Sequence, residues 1–274
     1  HRCRVRNSLS VDEHEWKGVK VMGNGRLTGK NAIIFGGGGR IGSATARCFF
    51  EHGAHVLLID RDEEKVRALA KTLGNPSRCR YWAQSIENDR DAERLSDWID
   101  TQGVVPDILV NCPAYISRAP FLSSSIEEFD KQMHTNVRLV LIVSRVIAQK
   151  MAKAKKGKII NLASLGGVRP EKAHLGHCAA KAAVIAASKV MALELAEFNI
   201  QVNVVAPGPT ETIPFSSPFY AAHPEILKRI EETTPLGRIG HPEDHTGLLL
   251  FLASEESDWI TGQVILSDGG LALA

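Results

Sequence analysis

Seven short apolar runs, separated by longer stretches of helical periodicity, constrain this 274-residue chain more than any other feature. They are "NAIIF" (31–35), "HVLLI" (55–59), "CRYWA" (79–83), "DILV" (107–110), "GKIINLA" (157–163), "IQVNVV" (200–205) and "QVILS" (263–267). Most are continuously apolar rather than alternating with polar residues. A strand of that kind is buried on both faces, which calls for parallel neighbours and for helices above and below the sheet. The intervening segments supply those helices, over 41–52, 62–73, 88–100, 126–154, 176–197 and 242–253. Asp62 is placed to cap the second helix, and Gly74 with Asn75 to stop it. The pattern predicts a doubly wound α/β fold with about seven parallel strands.

No repeat, low-complexity tract or Pro/Gly-rich linker divides the chain, so 26–274 reads as one domain, a size that fills a single core. The first 21 residues differ: they are polar, mix both charges and lack an apolar h-region, which fits neither a secretory signal nor a transit peptide. Met22 then opens what looks like a natural start. Residues 1–25 are expected to be a mobile extension or a remnant outside the fold.

Composition narrows the partners. Charged residues are 23% of the chain with a net charge of +2, and the basic residues stand mostly beside acids. That leaves no electrostatic footprint for nucleic acid. No apolar run approaches the roughly 18 residues of a membrane span, and "GLLLFLA" (247–253) reads as a buried helix face. The five cysteines (Cys3, Cys48, Cys79, Cys112, Cys178) are widely spaced, odd in number and without a CxxC. They argue against a disulfide framework or structural zinc and point to a reducing cytoplasm. "HLGH" (His174, His177) and "HPEDH" (His241, His245) lack the cysteine or carboxylate partners of a metal site. No metal is expected, and His241 and His245 are assigned to surface or capping roles.

The first apolar run leads directly into "GGGGRIG", which puts Gly36, Gly39 and Gly42 between a strand and a helix. Residues without a Cβ make such a turn tight and let backbone approach a pyrophosphate at the helix N-terminus. A glycine run alone is as well explained by a flexible turn, and Asp60 alone by a solvated or capping acid. Together they say more. Asp60 ends the second strand 18 residues beyond Gly42, where a carboxylate accepts hydrogen bonds from an adenosine ribose. The combination predicts a Rossmann-type dinucleotide site. Asp60 repels a 2′-phosphate, which favours NAD. Arg40 and Arg61 are each able to pair with that phosphate, which keeps NADP possible.

From about residue 26 to 271 the chain resembles the short-chain dehydrogenase/reductase family. The resemblance rests on "GGGGRIG", Asp60, "LVNCPA" (109–114), "TN" ending at Asn136, "IINLAS" ending at Ser164, "HCAAK", "VNVVAPGPTET" (202–212) and "PLGRIGHPED…FLAS…ITGQVILSDGG". It implies NAD(P)-dependent interconversion of an alcohol and a carbonyl on a small-molecule substrate, and a homotetramer or dimer. Ser164 would hold the substrate oxygen, Lys181 the nicotinamide ribose, and Asn136 a proton-relay water. The implied cofactor contacts are Gly36, Gly39, Arg40, Ile41, Gly42, Asp60, Arg61, Ile86, Asn111, Lys181, Pro207 and Thr212, with Gly208 beside the nicotinamide. The departures are His177 where the family has tyrosine, Pro113–Ala114 for Ala-Gly, and Arg40 at the middle glycine with Gly39 one place early.

On a helix beginning near 176, His177 and Lys181 are i and i+4 and share a face. Imidazole, with a reference pKa of about 6.5, is a competent acid/base. A neighbouring ammonium lowers that value and keeps the ring neutral, able both to accept a proton and to donate an N–H. Imidazole is also shorter than phenol, so a water or a deeper substrate must close the gap. The same residues are compatible with two other activities: a silent nucleotide-binding relative with a regulatory role, and a non-redox dehydratase or isomerase. Ala179, Ala180, Ala182, Ala183, Ala186 and Ala187 make a slim helix suited to close packing, within the chain or across a subunit interface. Phe215, Phe219 and Tyr220 suggest an apolar substrate lid.

Overall fold

The computed structural model describes residues 25–212 and 223–274. Its strands are β1 (Asn31–Phe35), β2 (His55–Asp60), β3 (Cys79–Ala83), β4 (Ile108–Asn111), β5 (Gly157–Leu162), β6 (Ile200–Pro207) and β7 (Val264–Ser267). They form one parallel sheet in the order β3-β2-β1-β4-β5-β6-β7. The helices are α1 (Arg40–Glu51), α2 (Glu63–Leu73), α3 (Asp89–Thr101), α4 (Ile126–Met133), α5 (Leu139–Ala154), α6 (Leu175–Leu195), α7 (Pro224–Thr233) and α8 (Thr246–Ala253).

Successive side chains of a strand point to opposite faces, and here both faces are covered. Ala32 and Ile34 of β1 lie with Val56, Leu58 and Val110 against Phe49 of α1, Val66 of α2 and Leu249 of α8. Ile33 and Phe35 lie with Leu57, Ile59 and Leu109 against Leu95 of α3, Ile147 of α5 and Ala192 of α6. The predicted caps are in place: Asp62 accepts the Lys65 N–H, and Gly74 ends α2 at φ +69°.

Two segments depart from the pattern. The single helix expected over 126–154 is broken by a π turn at His134–Arg138. Asn136 sits in that turn, fully buried, with its amide bonded both ways to the Tyr115 main chain at 2.8 Å. A π turn inserts a residue without disturbing the apolar period on either side, so periodicity does not reveal it. Helix α7 was not expected because it buries none of its residues and so carries little core pattern. Residues 1–24, which hold nearly all of the proposed extension, and the lid residues Phe215, Phe219 and Tyr220 lie outside the described residues.

Because the strands are parallel, their carboxyl ends share one edge. The order reverses at β1, so the connections leaving β1 and β4 diverge there and open a crevice.

Candidate active site

One wall of the crevice is the turn between β1 and α1. Gly36 has φ +80°, and a Cβ on it would lie 2.9 Å from the Cys112 carbon and the Pro113 nitrogen. A Cβ on Gly42 would lie 2.2 Å from the Gly36 oxygen. Neither position accepts another residue without moving the backbone. Gly39 is the N-cap of helix α1 and supplies no side-chain cap, so the first-turn N–H groups are left for an anion. This cradle fits a dinucleotide pyrophosphate. Asp60, at the end of β2, borders the same turn through a hydrogen bond from Gly38 N–H.

Across the crevice stand the ends of β4 and β5 and the start of α6. Lys181 is 2% exposed and donates to the Leu162 oxygen at 2.8 Å and the Pro113 oxygen at 3.4 Å. Burial lowers its pKa to about 8, so at neutral pH it is an ammonium near its limit. Cys112 beside it is pushed up to about 12 by burial, and Lys181 opposes that shift only in part. Ser164 follows β5, and its Oγ accepts the Gly166 N–H at 3.1 Å, which leaves its O–H for other partners.

Gly166 shows how closely the remaining groups converge. A methyl group on it would lie 3.2 Å from Cys178 Sγ and 3.5 Å from both His177 Cδ2 and Ser164 Oγ. Ser164 and the His177 ring therefore flank one point. His177 is buried, and its Nδ1 has no hydrogen-bond partner. Its pKa is lowered to about 4, by burial first and then by Lys181, His174 and Arg118. His174 stands 6.4 Å away, ring to ring, accepting from Arg118 Nε at 2.6 Å and donating to the Lys172 oxygen. Tyr115 also borders the region, but its hydroxyl is donated to Glu128 at 2.6 Å.

Several expected contacts are placed differently. Asn111 does not point toward an adenosine: it is 1% exposed, and its amide donates to Ser144 Oγ and Asn161 Oδ1. Asn161 continues to Ser188 Oγ. An amide inside an apolar sheet must find partners, and these brace β4 and β5 against α5 and α6. The Ile86 side chain belongs to the core cluster under β2 and β4, so only its main chain is left for a ligand. The Asn136 side chain is occupied by Tyr115. Arg40 pairs with Glu211, just past β6, at 3.2 Å. Neither a surface role nor a side-chain cap fits His245, which is 2% exposed, makes no cap bond to α8 and is bonded to Thr210 and Ser267. Pro207 ends β6 and Thr212 is exposed five residues on. Gly39 precedes α1 at the cradle, Ile41 lies in its first turn, and Arg61 follows β2 directly after Asp60. The roles of Glu211 and His245 were not assigned from sequence, since each gains partners from distant parts of the chain.

Among the described residues no helix is long and apolar enough to cross a membrane, and no cluster of three His, Cys, Asp or Glu could hold a metal.

A family model described as Enoyl-(Acyl carrier protein) reductase matches residues 39–272. The 3-oxoacyl-(acyl-carrier-protein) reductase FabG of Thermotoga maritima is 35% identical, covering 90% of this chain and 100% of its own. The chain belongs to the short-chain dehydrogenase/reductase family. Within that family a sorbitol dehydrogenase of Cereibacter sphaeroides is 34% identical, over 89% of this chain and 98% of its own. The gluconate 5-dehydrogenase of Burkholderia cenocepacia, solved with NADP and tartrate, superposes with a TM-score of 0.84 at 30% identity, covering 91% and 97%. The chain is thus an oxidoreductase of the short-chain dehydrogenase/reductase type, on a seven-stranded Rossmann-type sheet.

Proposed function

We propose that this protein interconverts a secondary alcohol and a ketone by hydride transfer, with His177 in place of the usual tyrosine as the proton-transfer residue. The observation that carries the reading is the convergence of Ser164 and His177 on Gly166, with Lys181 docked to the end of β5. The relatives point the same way: their names describe reduction of a 3-oxoacyl group and dehydrogenation of sorbitol and gluconate.

NAD, or NADP in its place, supplies the hydride acceptor or donor when bound. The glycine cradle and the α1 N-terminus would hold its pyrophosphate, Asp60 and Arg61 its adenosine end, and Pro207 with Thr212 its nicotinamide end. Ser164 keeps its hydroxyl proton free to donate to the substrate oxygen. His177, neutral above about pH 4, accepts the alcohol proton on oxidation and becomes imidazolium; on reduction the imidazolium returns that proton to the developing alkoxide. Lys181 has one N–H beyond those given to Leu162 and Pro113, enough for a ribose hydroxyl. Its charge also keeps the neighbouring imidazole unprotonated.

The test is a panel of secondary alcohols, polyols and ketones offered with NAD and with NADP, following nicotinamide absorbance. Turnover that depends on Ser164 and Lys181 supports the reading. Tight coenzyme binding with no turnover on any substrate would replace it with a silent nucleotide-binding role. Coenzyme that stays unchanged while substrate is dehydrated or isomerised would replace it with the non-redox one.

A further inference from the structure

The turn after β6 is joined to two other segments at once. Gly208 N–H donates to the Ser267 oxygen at 3.0 Å, Gly240 N–H to the Pro209 oxygen and Glu211 N–H to the Gly240 oxygen, each at 2.9 Å. Gly208 packs so close to β7 that a Cβ there would lie 2.8 Å from Asp268 Cα. One side chain ties these pieces together from below. His245, at the start of α8, has Nε2 at 2.9 Å from Thr210 Oγ1 and Nδ1 at 2.8 Å from Ser267 Oγ.

The direction of each bond follows from Thr210. Its single hydroxyl proton goes to the Gly208 oxygen at 2.9 Å, so Thr210 Oγ1 accepts from His245 Nε2–H. Nδ1 then accepts from the Ser267 hydroxyl. The ring is neutral, in one tautomer, with both nitrogens engaged. An apolar residue of similar size would fill the space but strip the half-buried Ser267 hydroxyl of this partner and leave Thr210 Oγ1 with its bond to Gly208 alone.

We propose that His245 is a positioning residue for the coenzyme: through Thr210 it fixes the turn that carries Pro207 and Thr212 to the nicotinamide end. The inference rests on the coenzyme reading above. Thr210 lies two residues before Thr212, and it pairs across to Gly240 in a one-residue bridge. A change at His245 therefore reaches the nicotinamide end of the crevice, while the glycine cradle and Asp60, held by β1 and β2, stay in place.

Calorimetric titration with the preferred coenzyme and with its fragment lacking nicotinamide (ADP-ribose for NAD) separates the two ends. His245→Leu should weaken coenzyme binding about tenfold or more. It should leave the fragment within roughly twofold of the parent. His245→Gln keeps one donor and one acceptor and should recover most of the loss. Thr210→Val removes the hydroxyl with little change of shape and should reproduce His245→Leu, also serving if that variant does not fold. Unchanged coenzyme affinity in both Thr210→Val and His245→Leu overturns the proposal. So does an equal loss for coenzyme and fragment, the mark of a residue that only supports the fold. A parent protein that binds neither coenzyme would overturn the reading beneath the proposal, and the proposal with it.

Discussion

Asp60 Oδ2 accepts the Gly38 N–H at 2.9 Å, so the acid that ends β2 is bonded to the glycine turn that follows β1. Its other oxygen accepts the Asp62 N–H at 3.0 Å at the start of α2. The carboxylate is thereby oriented before any ligand arrives, with lone pairs left for a ribose diol. Since Arg40 is engaged with Glu211, Arg61 is left as the arginine beside Asp60 for a 2′-phosphate. NAD should bind more tightly than NADP. Asp60→Ala should erode that discrimination and, by releasing the turn, also lower the thermal midpoint. Titration of both coenzymes measures the first effect and a melting curve the second; an NADP preference in the parent would contradict the assignment of Asp60.

Glu211 sits between two bases, 3.2 Å from Arg40 Nη2 and 3.3 Å from His241 Nδ1. Arg40 is the first residue of α1, so its pairing with Glu211 draws positive charge away from the anion cradle. Glu211→Gln should return that charge. Coenzyme affinity should rise by a few-fold, with a steeper dependence on salt. Weaker binding in the variant would mean that the ion pair is needed to hold the turn after β6 in place.

The strands were legible because burial on both faces writes itself as apolar runs, and β1 matches "NAIIF" residue for residue. The cradle was legible because two backbones approach at Gly36 and Gly42, a constraint that only glycine meets. What escaped was polar and long-range. Asn111 reads like a ligand contact until Ser144 and Asn161 are brought beside it by α5 and β5. His245 reads like a surface or capping residue until Thr210 and Ser267 close around it. Such pairings leave no period in the sequence, because each partner comes from a different segment.

Burial of the His177 ring has a consequence for stability. The unfolded chain takes up a proton there near pH 6.5, the folded chain only near 4. Between those values the unfolded state binds more protons, so stability falls as pH falls through the window, by up to about 3 kcal/mol. Denaturant unfolding at a series of pH values should show the parent losing stability more steeply than His177→Gln, which has no proton to gain. Parallel curves would mean that the ring is solvated in the folded protein.

The face of α6 away from the sheet is apolar and uncovered. Val190 is 52% and Leu193 81% exposed, and Leu141 of α5 is 40% exposed. Ala182 and Ala186 continue the strip one and two turns earlier, small enough for a second helix to approach closely. Light scattering should give a homo-oligomer, a dimer or tetramer, and Leu193→Glu should shift it toward monomer. A parent that is monomeric at micromolar concentration would remove α6 as an interface.

The sharpest prediction concerns His177 itself. If its neutral ring receives the alcohol proton, oxidation should rise with pH through an ionisation near 4 and then level as far as this residue is concerned. No alkaline, phenol-like ionisation should be assignable to position 177. His177→Ala should remove most turnover, a hundredfold or so being typical for loss of a general acid/base. Coenzyme binding should stay near the parent's, because the cradle and Asp60 lie apart from the ring and Lys181 is held by the Leu162 and Pro113 oxygens. His177→Tyr asks what the pocket is built for. The ring now occupies space beside Gly166, Cys178 and Ser164, and a phenol at the same place must reach farther. Higher activity in His177→Tyr would mean that the surroundings still suit a phenol and that imidazole limits the natural protein. Lower activity would mean that they have been shaped around imidazole. Turnover in His177→Ala equal to the parent's would remove the acid/base role altogether and leave Lys181, poised at about 8, to move the proton through water.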